Sequence, residues 1–364
     1  MGMIFSHDTL PQRVLFGTGK AAEHLAAEVE RFGASRVMVI AGARDSGTVA
    51  ELTARLPVAL NYPDVVQHVP IASAEKARGA ARENDIDLLL CVGGGSAVGL
   101  AKAIALDTAL PIIAVPTTYA GSEATNVWGL TEEGRKSTGV DARVLPATVI
   151  YDAALSLSLP VGLSVASGLN AMAHCIDSMW GPRADPINVA LASEGIRALA
   201  AGLPGIAADP SGIDGREQAL YGAYLSAVAF ASAGSGLHHK ICHVLGGTYN
   251  MPHAQTHATV LPHVLAFNAP HAPEAESRIA AAFGSPTAIG GLNALRERLD
   301  APRALKDYGF DAADIPEAVS LILPQVPANN PRTVTAENLA ELLTAAVHGT
   351  EPGGMAFPAL PYLE

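Results

Sequence analysis

The stretch Asp87-Leu-Leu-Leu-Cys-Val-Gly-Gly-Gly-Ser96 decides the fold. Its apolar run shows no polar alternation, so it reads as a strand buried on both faces, as in a parallel sheet. The glycines and Ser96 then open a helical run, Val98 to Leu106. Glycines at a strand-to-helix turn let the backbone approach a phosphate, and the helix N-terminus offers free N–H groups and a positive dipole end. Ser96 adds a hydroxyl donor. The pattern is not a P-loop, because Leu100 rather than Lys follows Gly99, and Val98 spoils the usual G-x-G-x-x-G. On these residues alone, a tight turn and a phosphate cradle both remain open.

Outward from this stretch, Arg36-Val-Met-Val-Ile-Ala41 and Pro111-Ile-Ile-Ala-Val115 repeat the short apolar pattern, and Ala74 to Asn84 reads as a helix between strands. That order implies an α/β unit with right-handed crossovers. Val127 to Gly139, with Glu133-Gly134 near its middle, reads as a hairpin, and Val149-Ile-Tyr151 as the last strand. A second polar turn, Pro116-Thr-Thr-Tyr-Ala-Gly-Ser122, sits at a strand's C-terminal end, where open α/β sheets bind ligands. Two such turns in succession favour a dinucleotide. From Ala154 onward Ala, Leu and Ile recur at helical spacing between breaks such as Gly181-Pro182 and Asn329-Asn-Pro331. The expectation is an α/β N-terminal dinucleotide-binding domain over residues 1–153 and an all-α C-terminal domain over 154–364, with ligands in the cleft between them. A chain of 364 residues is long enough for two cores.

A formal charge of −12 argues against nucleic-acid or anionic-membrane partners, which need basic patches. No run approaches a membrane span's length of about 18 apolar residues, so no span is expected. Cys91, Cys175 and Cys242 lie far apart in apolar segments, which fits reduced thiols in a cytoplasmic protein. A homodimer is expected on frequency alone.

The C-terminal half carries the chemistry. Of twelve histidines, His238, His239, His243, His253 and His257 crowd together. An i, i+4 step places two side chains on one helix face, so Asn170/His174, His239/His243 and His253/His257 are three facing pairs. A divalent metal wants imidazoles plus a carboxylate, and at Asn170 an amide stands where the carboxylate is expected. His263, His271, Cys175 and the second cysteine of the cluster, Cys242, read as packing residues.

These motifs resemble the iron-containing alcohol dehydrogenase family, and within it the maleylacetate reductases. The resemblance spans nearly the whole chain. It rests on Gly93-Gly-Gly-Ser96 with Ala101-Lys102, on Pro116-Thr-Thr-Tyr-Ala-Gly-Ser-Glu123, and on Ser167-Gly-Leu-Asn-Ala-Met-Ala-His174. Gly236-Leu-His-His-Lys-Ile-Cys-His-Val-Leu-Gly-Gly247 and Pro252-His253 complete it. Where the wider family has Asp, this chain has Asn170, and the compact Tyr-Ala-Gly-Ser-Glu replaces a longer Thr-rich loop.

The resemblance implies NADH or NADPH as cofactor, bound by Gly93, Gly94, Gly95, Ser96, Thr117, Thr118 and Lys136. It implies metal ligands at Asn170, His174, His239 and His253, a degenerate set, so that Fe or Zn is possible and a metal is not required. Arg44, after the first βα strand, is a candidate for a 2′-phosphate contact. The implied reaction is reduction of the carbon–carbon double bond of maleylacetate to 3-oxoadipate, in aromatic-compound catabolism. Hydride addition β to the ketone leaves an enolate, which needs oxyanion donors and a proton at the adjacent carbon. Imidazolium and ammonium groups are expected to serve: His243 or His239 as proton donor, Lys240 and His238 on a carboxylate, Tyr119 as a phenol donor. The competing readings are a metal-dependent alcohol dehydrogenase, a lyase of the dehydroquinate synthase type, and a nucleotide sensor without turnover.

Overall fold

The computed structural model describes residues 3–132 and 135–353; the side chains of Arg135 and Lys136 and the hairpin turn Glu133-Gly134 lie outside the described residues. The first half alternates strands and helices: β1 (Arg13–Phe16), α1 (Ala21–Phe32), β2 (Val37–Ile40), α2 (Ser46–Thr53), β3 (Val58–Tyr62), α3 (Ile71–Glu83), β4 (Leu88–Gly93), α4 (Gly95–Thr108) and β5 (Ile112–Pro116). The antiparallel pair β6 (Val127–Glu132) and β7 (Arg135–Val140) follows, then β8 (Thr148–Tyr151). Six strands form one parallel sheet in the order β1-β8-β5-β4-β2-β3.

Strand periodicity sorts the core into two layers. Val37 and Val39 of β2, with Leu88, Leu90 and Val92 of β4, pack beneath Leu25 and Val29 of α1 and Val49 and Leu52 of α2. Met38, Ile40, Leu89 and Cys91 face the other way, onto α3 and α4. β1 and β3 went unread in the sequence because both are edge strands. Their side chains are partly exposed, so neither carries the unbroken apolar run that betrays a central strand.

The second half contains α5 (Val161–Ser178), α6 (Pro186–Ala208), α7 (Asp214–Ala233), α8 (Leu237–Thr248), α9 (His253–Asn268), α10 (Pro273–Phe283), α11 (Ala288–Arg298), α12 (Ile315–Ile322) and α13 (Ala336–His348). By length and composition alone α6 is apolar enough to cross a membrane, but half of that apolar stretch is buried inside the protein, as in a core helix. Its apolarity has an interior use: α6 packs on α5 and α7, and Gly202 and Gly222 let the α6 and α7 backbones meet. A Cβ at Gly202 would stand 2.7 Å from both Ala219 N and Gly215 O.

The substitution Gly202→Ala is therefore expected to force the two helices apart and cost about 1–3 kcal/mol, as overpacking does. Thermal denaturation should show a clearly lowered Tm, and an unchanged Tm would mean that α6 and α7 do not pack this closely.

Candidate active site

At the C-terminal ends of the central strands, β4 finishes at Gly93 with φ 141°, a conformation suited to glycine. Gly94 then caps α4 with no side-chain partner for its leading N–H groups. The loop after β5 closes over this turn. Thr117 N donates to Gly93 O at 3.1 Å, and a Cβ on Gly94 would lie 2.9 Å from Thr118 Cγ2. Gly94 is thus a cradle that only glycine leaves open, which fits a pyrophosphate. Gly95, Ser96 and Thr118 line a cleft of about 320 Å³ that His253 borders from the helical half. A second hollow, about 260 Å³, lies at the ends of β2 and β3 beside Gly42 and Tyr62.

Lys102, part of the α4 motif, does not reach this cleft. Its ammonium is buried and donates to Ser122 O, Thr125 O and Val127 O at 2.7–2.8 Å and to Thr125 Oγ1 at 3.1 Å. It clamps the segment that follows the Thr117–Thr118 turn, and burial lowers its pKa to about 7. Arg44, offered above as a 2′-phosphate contact, is exposed. Its neighbour Asp45 is half-buried, with Oδ2 3.7 Å from where a Cβ on Gly93 would stand. Burial raises the Asp45 pKa. The backbone of Lys136 pairs with Thr131 in the hairpin, and its side chain lies outside the described residues.

Across the cleft, α5, α8 and α9 bring the histidines together. Asn170, His174 and Asp177 stand at i, i+4 and i+7, one face of α5. Asp177 Oδ2 accepts from Gly236 N at 2.8 Å, from the His239 backbone N–H at 3.4 Å and from His239 Nδ1 at 2.8 Å. One buried carboxylate therefore caps the start of α8 and orients the His239 ring. Burial raises the Asp177 pKa to about 7. With its proton on Nδ1, His239 leaves the Nε2 lone pair buried without a partner. The rings of His174 and His239 stack 4.9 Å apart at 13°, and His257 lies 4.9 Å from His239 and 4.4 Å from His253.

Burial corrects the expectation of imidazolium donors. Desolvation lowers the pKa of His174 to about 4 and of His238 to about 3, and holds His239 and His257 well below the ordinary value. These imidazoles are neutral at neutral pH. Two role assignments also change. His238 is 1% exposed, with Nε2 2.9 Å from His257 Nδ1, so it is not placed to hold a substrate carboxylate. Tyr119 is fully buried, and its hydroxyl sits 3.5 Å from the Arg216 guanidinium, which also binds the carbonyls of Ser156 and Pro210. Its phenol serves that interior network. Lys240 and His243, on α8, remain half-buried, as does His253.

The family pattern places a metal on Asn170, His174, His239 and His253, and the residues present do not fit one well. Asn170 offers a neutral amide oxygen, buried and unpartnered, and no carboxylate completes the four. His239 has the oriented tautomer of a ligand histidine, given by Asp177.

Asp177 is the residue the sequence reading missed, although its position seven after Asn170 put it on the marked helix face. Asp177→Asn is expected to lower kcat/KM about 10–100-fold, as loss of an orienting carboxylate does elsewhere. Kinetics on protein of unchanged secondary structure would test this, and wild-type kcat/KM would show that the bond only caps α8.

Comparison with known proteins agrees with this architecture. The family model described as iron-containing alcohol dehydrogenase matches residues 11–153, and that of the family's C-terminal part matches residues 164–347. A maleylacetate reductase from Sphingobium indicum is 46% identical over 353 residues, covering 96% of this chain and 99% of the relative. The crystal structure of an iron-containing alcohol dehydrogenase from Corynebacterium glutamicum is 65% identical with a TM-score of 0.95, covering 96% of this chain and 98% of that one. A maleylacetate reductase structure from Agrobacterium tumefaciens is 39% identical with a TM-score of 0.91, covering 96% of this chain and all of that one (100%). With both halves matched and relatives of this identity aligned end to end, the chain belongs to the iron-containing alcohol dehydrogenase family.

Proposed function

We propose that this chain is a maleylacetate reductase, which uses NAD(P)H to reduce the carbon–carbon double bond of maleylacetate and give 3-oxoadipate. The observation that carries the reading is the buried, unpartnered amide of Asn170, which stands where the family pattern puts a carboxylate ligand for a Lewis-acid metal. Near-full-length identity to maleylacetate reductases supports the same substrate. We assign residues 1–153 to cofactor binding and 154–364 to the histidine site, in a homodimer, the commonest closed assembly.

When bound, the dinucleotide supplies the hydride. Gly94, Gly95 and Ser96 hold its pyrophosphate at the start of α4, and Thr117 and Thr118 close over it. Asp45 favours NADH, since a carboxylate near Gly93 accepts a ribose hydroxyl and repels a 2′-phosphate. On the substrate, reduction of the carbon β to the ketone moves the π electrons onto oxygen as an enolate. A conjugated enolate spreads its charge over carbon and oxygen, so it demands less of its surroundings than an alkoxide does. Lys240 and His243 are the half-buried donors on α8, whereas His238 and His239 lie deeper. His243 delivers the proton to the carbon α to the ketone, and Lys240 holds a carboxylate. His239, oriented by Asp177, packs against the proton donor with ring centroids 5.9 Å apart.

An alcohol dehydrogenase reading has the support of names, those of the 65%-identical Corynebacterium structure and of a 47%-identical structure from Ralstonia eutropha. NADH oxidation with maleylacetate, beside a simple aldehyde, separates the two readings. The proposal expects maleylacetate to be strongly preferred; a preference for the aldehyde would overturn it. Within that reaction, His243→Ala should lower kcat at least about 100-fold, the scale of general-acid catalysis. Lys240→Ala should raise the maleylacetate KM about tenfold or more, the loss of a charge-assisted hydrogen bond. Wild-type kinetics in both variants would remove these assignments.

A further inference from the structure

We propose that His238, Cys242 and His257 form a buried site for a soft divalent cation of the zinc class, separate from the four positions that the family pattern assigns. Among the described residues, these are the ones whose possible ligand atoms converge, all lying within 4.8 Å of one another. His238 and Cys242 are one turn apart on α8, and His257 reaches them from α9. His238 Nε2 is 2.9 Å from His257 Nδ1 and 3.6 Å from Cys242 Sγ. Zinc–nitrogen bonds of about 2.0–2.1 Å and zinc–sulfur bonds of about 2.3 Å place tetrahedral ligands roughly 3.3–3.6 Å apart. The Cys242–His238 spacing already matches, and the His238–His257 contact needs to open by less than about half an ångström.

Donor chemistry points the same way. A buried dication requires an anionic ligand, which Asn170 does not provide and a Cys242 thiolate does. Asp177 lies near enough to raise the Cys242 thiol further, so its carboxylate is a second negative charge beside a bound cation. His238, Cys242 and His257 are between 0% and 2% exposed, so an ion there has no open position for substrate. It would tie α8 to α9 and leave hydride transfer to the cleft. This inference does not depend on which substrate the cleft reduces.

The test uses the full chain, stripped with chelator and titrated with Co²⁺ as a spectroscopic stand-in for zinc. The expected result is a thiolate-to-cobalt charge-transfer band in the near ultraviolet that saturates at a single ion per chain and disappears when zinc is added. Cys242→Ser should abolish the band and weaken retention at least about 100-fold, more than loss of an orienting group. His257→Gln should weaken retention likewise, while His174→Ala should keep the band. Three outcomes would overturn the proposal: no retained ion, cobalt bound without the thiolate band, or binding lost in His174→Ala and kept in Cys242→Ser. The wild-type spectrum decides the matter even if a variant fails to fold.

Discussion

The carboxylate of Asp177 is the point on which the helical half turns. It lies in the interior, 1% exposed, and in place of water it takes the first N–H groups of α8 and the ring of His239. A buried carboxylate left without such partners is costly, and here those partners tie α5 to the start of α8. Because Asn170 and His174 share its helix face, fixing Asp177 also fixes them opposite α8. The same burial keeps the clustered imidazoles neutral, which removes them as cationic donors and makes them acceptors or soft ligands.

The dinucleotide half is organised by a different constraint, close backbone approach. Gly93 and Gly94 let the β4–α4 turn and the Thr117–Thr118 loop touch, and Lys102 anchors the continuation of that loop through several backbone carbonyls. A single ammonium thus replaces the ladder that a strand would supply to this irregular segment. The two halves meet across the cleft that Ser96 and His253 share.

Much of this was legible in the sequence where local patterns are strong. The central strand ending at Gly93 and the helix after it follow directly from an apolar run meeting glycines, and the hairpin and the helical half were read likewise. The edge strands β1 and β3 were not, because a half-exposed strand has neither a clean alternation nor an apolar run. In the site, i, i+4 spacing marked histidines that the structure brings together, but not their depth. Nothing local says that His238 turns inward to His257 or that the Tyr119 hydroxyl meets Arg216, since partners 19 and 97 residues away decide both. Asp177 escaped for a related reason: a lone acid in an apolar helix is recognisable only once Gly236 and His239 are seen to bind it.

The central claim is that the cleft turns over its substrate without a Lewis acid, and metal dependence of turnover addresses it most directly. Folded protein freed of metal by chelator should oxidise NADH with maleylacetate at the wild-type rate, and added Fe²⁺ or Zn²⁺ should leave that rate unchanged. Activity that vanishes on stripping and returns in proportion to the Fe²⁺ or Zn²⁺ bound at Asn170, His174, His239 and His253 would contradict it.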